Sequence, residues 1–291
     1  MRTIPLGPDA PAVTVVGFGG MPLSLSDRPG ETEAVRVIHA VLDAGVTLLD
    51  TADVYCLDDD DIGHNERLFA KALAGWSGHR DGLIVATKGG LTRPRGSWGR
   101  NGRPEHIYQA CDRSLAALGV ERIDLYQFHA PDPDVPLAES AGAFARLRDE
   151  GKIRWVGLSN VSVDQIETAR RVVPITSVQN RLNPFFREAV ETGVVRYCAR
   201  EGIGFLAYSP VGGGRLNKKL PTHPVLRPIA ARHGVSPHTV VLAWVAARGA
   251  TVIPIPAARS VAHALDSVGS AAVSLSPDEL KAIDDAEFSR A

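Results

Sequence analysis

A surplus of positive charge is missing from this 291-residue chain: 32 Lys and Arg stand against 33 Asp and Glu, for a net charge of -1. That balance removes the electrostatic footprint of a nucleic-acid or anionic-membrane binder. Cysteine is scarce as well, with Cys56, Cys111 and Cys198 far apart, odd in number and without Cys-x-x-Cys spacing. The pattern argues against a disulfide framework, a zinc site or a redox pair, so free thiols in a reducing compartment are expected. No stretch approaches the roughly 20 apolar residues of a membrane span. Residues 1–7 (MRTIPLG) lack the apolar core of a signal peptide, and a cytoplasmic protein is expected. With no low-complexity linker and no internal repeat, residues 1–291 read as one domain. At 44% hydrophobic and 22% charged residues the composition is that of an ordinary globular protein. Small-molecule chemistry is the class left standing.

Apolar strand-like runs alternate with amphipathic helical patterns along almost the whole chain. The strands read as 13–17, 46–50, 83–88, 123–129, 153–159, 175–179, 203–208 and 251–255. Helical patterns fall near 31–44, 64–74, 104–118, 137–150, 163–171, 187–200, 225–247 and 259–267. Eight such pairs predict an α/β (β/α)8 TIM barrel. Leu137, Ala141, Phe144 and Leu147 repeat at spacings of three and four before Gly151, as on a core-facing helix with a glycine stop. The run Ser276-Pro277-Asp278-Glu279 offers an N-cap, a first-turn proline and a capping-box Glu, predicting an additional C-terminal helix over 276–288.

Polar residues stand where successive strands end: Asp50, Lys88, His129, Ser159-Asn160, Gln179 and Tyr208-Ser209. In a parallel barrel these positions share one rim, so groups distant in sequence converge there. One polar residue after a strand is an ordinary turn former. Six in succession after apolar runs indicate a site. Tyr55 lies five residues past Asp50, and its phenol needs help to exchange protons near neutrality. Lys88 is placed to lower the Tyr55 pKa and Asp50 to hold the lysine, while His129 is placed to orient a substrate carbonyl. None of these side chains supplies reducing equivalents, so redox chemistry requires a bound cofactor. The amides of Asn160 and Gln179 suit a carboxamide, and Tyr208 offers a face for stacking. His129 is followed by Asp132 and Asp134, but Pro131 and Pro133 break any helical ligand face, and no metal site is expected.

Eight segments carry a resemblance in matching order and spacing: 17–21 (GFGGM), 50–55 (DTADVY), 87–88 (TK), 118–129 (LGVERIDLYQFH), 151–160 (GKIRWVGLSN), 178–180 (VQN), 207–210 (AYSP) and 253–256 (IPIP). Across nearly its whole length the chain resembles bacterial-type aldo-keto reductases. The resemblance implies a catalytic tetrad at Asp50, Tyr55, Lys88 and His129, with Tyr55 as the acid in carbonyl reduction. It implies nicotinamide-cofactor contacts at Gly20, Met21, Ser159, Asn160, Gln179, Tyr208, Ser209, Pro210, Val211 and Gly213. Gly17-x-Gly19-Gly20 is not a Rossmann fingerprint, because 21–24 (MPLS) opens no helix.

The cofactor end departs from the best-known family pattern. Where many members carry a Lys-Ser pair and later Arg, Glu and Asn around the 2′-phosphate and adenine, this chain has Ala257, Ala258, His263, Asp266 and Ser267. Arg259 is the remaining phosphate clamp, and NADP(H) is expected over NAD(H). The irregular stretches 90–103 and 209–224 follow strands and are expected to cover the ligand, with Met21, Tyr55 and Trp98 lining the pocket. Asp58 to Asp61 reads either as a solvated loop or as a pocket charge that disfavours anions. An aldehyde or ketone, or the matching alcohol, is the expected substrate. Two alternatives remain open: a Schiff-base lyase using Lys88, and a cofactor-binding regulatory subunit resembling potassium-channel β subunits. Oligomeric state is not legible.

Overall fold

Eight parallel strands form one continuous sheet in chain order. The computed structural model describes residues 1–291. We number the strands β1 (Phe18–Gly19), β2 (Leu48–Asp50), β3 (Ile84–Gly89), β4 (Ile123–Phe128), β5 (Ile153–Ser159), β6 (Ser177–Arg181), β7 (Gly204–Tyr208) and β8 (Val252–Pro254). The two edge strands meet through backbone bonds from Gly17 N to Pro254 O (3.0 Å) and Gly19 N to Pro256 O (2.8 Å). These contacts close the sheet into a barrel, which satisfies edge groups that would otherwise be open to another chain.

The strands are nearly continuous apolar runs because they are covered on both faces, by barrel interior inside and helices outside. Inside, Leu48, Ile84, Ala86, Leu125, Leu206 and Ile253 form a buried cluster with Leu6 and Val13 of the N-terminal segment. That segment is an antiparallel hairpin, Thr3–Pro5 with Ala12–Thr14. It plugs the barrel floor, since Gly7 and Gly204 sit so close to neighbouring backbone that an added Cβ would lie 2.0 Å from Thr176 O and Leu6 O respectively. The run 13–17 is therefore not the first barrel strand; it ends the hairpin, and the chain enters the barrel at Phe18.

Two predicted helices are each divided in two. The pattern at 225–247 breaks at Gly234, which adopts φ 64°, and resumes at Pro237 behind the Ser236 N-cap. The pattern at 187–200 breaks at Gly193, at φ 80°, into Glu188–Glu191 and Val194–Glu201. A left-handed turn ends hydrogen bonding along the helix while the apolar period runs on, so periodicity alone misses it. The C-terminal helix spans Pro277–Asp285, with the expected capping box between Ser276 and Glu279. Beyond it the tail packs on the 209–224 segment, where His223 stacks on Phe288 with ring centroids 4.2 Å apart. All three cysteines are buried and free.

Replacing Gly204 by Ala forces the floor hairpin off the barrel and is expected to cost about 2–3 kcal/mol, in the range typical of overpacked cores. Urea unfolding monitored by circular dichroism checks this; an unchanged midpoint would show that the floor is not tightly docked.

Candidate active site

The rim at the carboxyl ends of the strands gathers the ionisable groups that the sequence placed there. Lys88, at the end of β3, is completely buried, and its ammonium donates to Asp50 Oδ1 at 2.5 Å, Thr51 O at 2.9 Å and Tyr55 Oη at 3.0 Å. An ammonium has three donors and no acceptor. All three are engaged. The Tyr55 oxygen therefore accepts from Lys88, and its own proton is left for an acceptor at the barrel mouth. The Tyr55 and His129 rings meet nearly at right angles with centroids 5.7 Å apart, which puts phenol and imidazole beside the same space.

Burial and charge set the proton affinities. Burial pushes the Tyr55 phenol above its ordinary value, with the Lys88 cation pulling in the opposite direction without overcoming it. The net effect differs from the expected lowering. The phenol stays a protonated acid across the neutral range rather than becoming a phenolate. For Lys88, burial favours the neutral amine, but Asp50 and Tyr55 outweigh it and the pKa rises, so the lysine is a fixed cation. His129 is held well below its usual value by burial and by Lys88. It is neutral, with one N–H. Its Nδ1 is enclosed and unbonded, leaving Nε2 as the nitrogen towards the mouth.

The cofactor candidates fall into four groups. At the rim, Asn160 donates to His129 O (3.0 Å) and Ser159 Oγ (3.1 Å) and accepts from Tyr208 Oη at 2.8 Å. Asn160 and Ser209 both hold positive φ, at 59° and 47°, conformations uncommon outside glycine that aim these residues across the rim. Gln179 donates from Nε2 to Asp50 Oδ2 at 2.8 Å and to Gln127 Oε1 at 3.1 Å. On the first loop, Gly20 is pressed against helix His64–Gly75: an added Cβ would lie 2.3 Å from the Phe69 ring and 2.5 Å from Asn65 Oδ1. Met21 beside it is exposed. Gly213 opens a short helical turn, Gly213–Leu216, after Ser209, Pro210 and Val211, and both Gly212 and Gly213 adopt positive φ.

Farther out, Arg259 is exposed and reaches Pro22 O at 3.4 Å and Ser26 O at 3.2 Å, bridging the first loop to the segment after β8. His263 is exposed on helix Val261–Gly269. Asp266 is turned to another task, accepting from the N-cap hydroxyl of Ser236 at 2.6 Å and so tying the start of helix Pro237–Ala246 to the body of helix Val261–Gly269.

The loops differ from a simple cover. Within 90–103, Leu91–Thr92 and Gly99–Arg100 form a small hairpin, and Arg93 donates to Cys56 O (3.2 Å) and Leu57 O (3.1 Å), bracing the Tyr55 loop. Trp98 is half exposed and stacks on Arg93 at 4.1 Å rather than entering the barrel. The acidic stretch is likewise structural: Asp58 caps its own turn, Asp59 accepts from Arg95 N and Asp61 pairs with Arg28 at 2.7 Å.

Several buried polar residues beneath the rim had no signal at strand ends. Gln127, inside β4, donates to Asp50 Oδ2 at 3.0 Å. Asn65 accepts from Thr51 Oγ1 at 2.6 Å and donates to Gly20 O at 2.9 Å, tying the first loop to the segment that bears Tyr55. Asp53 and Glu66 are both buried, and Asp53 receives the Val54 amide at 2.7 Å while Glu66 receives Thr87 Oγ1 at 2.5 Å. Burial raises both carboxyls, Asp53 well above the ordinary range with a further push from Glu66.

Comparison with known proteins supplies the context. The model of the aldo/keto reductase family matches residues 15–287. A probable aldo-keto reductase of Glycine max is 33% identical over 97% of this chain and 88% of its own length. Among solved structures, a glycerol dehydrogenase from Gluconobacter oxydans superposes with a TM-score of 0.84 at 30% identity, covering 97% of this chain and 94% of that one. An aldo-keto reductase from Klebsiella pneumoniae in complex with NADPH has a TM-score of 0.80 at 26% identity, with the same coverages.

A carboxyl whose folded pKa lies above its unfolded one holds its proton more tightly in the native state. Its contribution to stability is present at acid pH and lost as pH rises through the raised value. Asp53 and Glu66 are thus expected to contribute a fall in melting temperature as pH rises above the ordinary carboxylate range, opposite in sign to the contribution of the depressed His129. Asp53→Asn should remove its part of that fall, so that the difference between variant and wild type shifts in favour of the variant as pH rises; melts with parallel pH slopes would contradict the assignment.

Proposed function

Because the chain belongs to the aldo/keto reductase family, we propose that it is an NADP(H)-dependent oxidoreductase that reduces an aldehyde or ketone to the alcohol, or runs the reverse oxidation, with Tyr55 as proton donor. One observation carries this reading: the three Lys88 donors are fully committed, so the Tyr55 oxygen is an acceptor towards the lysine and its proton faces the mouth. The proton then passes from Tyr55 to a carbonyl oxygen, and the nearby Lys88 cation stabilises the phenolate that remains. Neutral His129 presents one N–H to the same oxygen, which orients it and stabilises negative charge developing there.

The rim residues fit a nicotinamide. Asn160 Oδ1 has a second lone pair, Gln179 Oε1 accepts no bond within the protein, and the Ser159 hydroxyl has its proton to give. Two acceptors and one donor complement a carboxamide, and the Tyr208 ring is placed to stack. A reduced nicotinamide held there supplies the hydride equivalent that no side chain possesses. At the far end, Arg259 offers a planar guanidinium for a 2′-phosphate. The NADPH bound by the Klebsiella pneumoniae protein supports the same choice. A Schiff-base role for Lys88 is disfavoured, because a fully buried, fully bonded ammonium with a raised pKa is a poor nucleophile.

NADPH consumption at 340 nm with a panel of aldehydes and ketones tests the reading. Tyr55→Phe is expected to lower kcat by about a hundredfold or more, the range for loss of a general acid, and Arg259→Ala to raise KM for NADPH more than for NADH. Full turnover by Tyr55→Phe would remove the tyrosine mechanism, and equal cofactor KM values in Arg259→Ala and wild type would remove the clamp.

A further inference from the structure

We propose that Gln127 is a positioning residue that fixes the direction of the Gln179 amide, so that Gln179 offers its carbonyl oxygen, and not its nitrogen, to the nicotinamide carboxamide. The inference rests on the nicotinamide-dependent reading above. It begins at Asp50, whose carboxylate accepts hydrogen bonds and donates none. Gln127 Nε2 and Gln179 Nε2 both approach Asp50 Oδ2, at 3.0 Å and 2.8 Å. Each amide must therefore turn its nitrogen towards Asp50.

With its nitrogen fixed, Gln127 has its oxygen facing the other way, where it accepts the second Gln179 hydrogen at 3.1 Å. Both Gln179 hydrogens are then engaged inside the protein. What remains for a ligand is Oε1, a pure acceptor, which matches the NH2 of a carboxamide. Reversing the Gln179 amide would set its oxygen against two others, Asp50 Oδ2 and Gln127 Oε1. Removing the Gln127 carbonyl leaves only one of those two restraints. Gln127 itself is completely buried, so it acts on the ligand only through Gln179.

The barrel makes room for this side chain at one place. Gln127 of β4 lies in register with Gly157 of β5. A Cβ at residue 157 would sit 2.7 Å from Gln127 Cγ and 2.7 Å from Ser177 Oγ. The glycine is the clearance that lets Gln127 extend between Asp50 and Gln179.

The test compares binding of NADP+ with binding of its 3-acetylpyridine analogue, in which a methyl ketone replaces the carboxamide and no NH2 is available to donate. Kd is measured by calorimetry, with no substrate and no turnover. Wild type is expected to favour NADP+ by about fivefold, the worth of one hydrogen bond. Gln127→Leu, close in size, is expected to bring the two Kd values within about twofold by weakening NADP+ selectively. Gln127→Met provides an unbranched variant, closer to glutamine in shape, should the leucine disturb folding. Gly157→Ala, which displaces Gln127 without altering it, is expected to give the same loss of discrimination. An unchanged ratio in these variants, or equal weakening of both dinucleotides as from general loosening, would overturn the positioning role. Wild type binding neither dinucleotide would instead overturn the nicotinamide reading itself.

Discussion

The buried ion pair between Lys88 and Asp50 is the interaction around which the barrel mouth is organised. A charge removed from water costs several kcal/mol unless it is paired and its remaining hydrogen-bonding groups are satisfied. Here the lysine meets a carboxylate, a backbone carbonyl and a phenol, and the carboxylate meets the lysine and two amides. Each partner is thereby fixed in direction as well as in place. The Tyr55 proton faces outward because its oxygen receives Lys88, and the Gln179 oxygen faces outward because its nitrogen serves Asp50.

This arrangement divides proton handling among groups of distinct charge state. Lys88 stays cationic, His129 stays neutral, and burial keeps Tyr55 protonated despite the cation beside it. The lysine does not make the resting phenol unusually acidic. Its charge matters most after the proton has left, when a buried phenolate would otherwise be unsupported. The loops around the mouth serve this geometry: Arg93 braces the segment bearing Tyr55, and Asn65 ties that segment to the first loop.

Much of this was legible in the sequence, for a physical reason. A residue that ends an apolar strand in a parallel barrel has its location set by topology, so Asp50, Lys88, His129, Gln179 and Tyr208 could be assigned to one rim without knowing any contact. Gln127, Asn65 and Glu66 were not legible. Gln127 lies within the strand pattern of β4, and Asn65 and Glu66 fall on a helix where polar residues ordinarily face water. Their roles depend on packing between elements distant in sequence. The divided helices at 193 and 234 show the opposite case, since the glycine turns were visible and the apolar period concealed them. Asp266 shows a third, a position aligned with an adenine contact whose carboxylate caps a neighbouring helix through Ser236.

The central claim is that the Lys88 charge makes proton donation by Tyr55 possible, and the pH dependence of kcat/KM for carbonyl reduction by Lys88→Met tests it most directly. Without the cation the phenolate loses its support, so the rate should fall by about a hundredfold or more, the scale of general-acid contributions. The phenol should also become a weaker acid, moving the alkaline loss of activity to higher pH. A Lys88→Met protein with the wild-type rate and an unmoved alkaline limb would contradict the account.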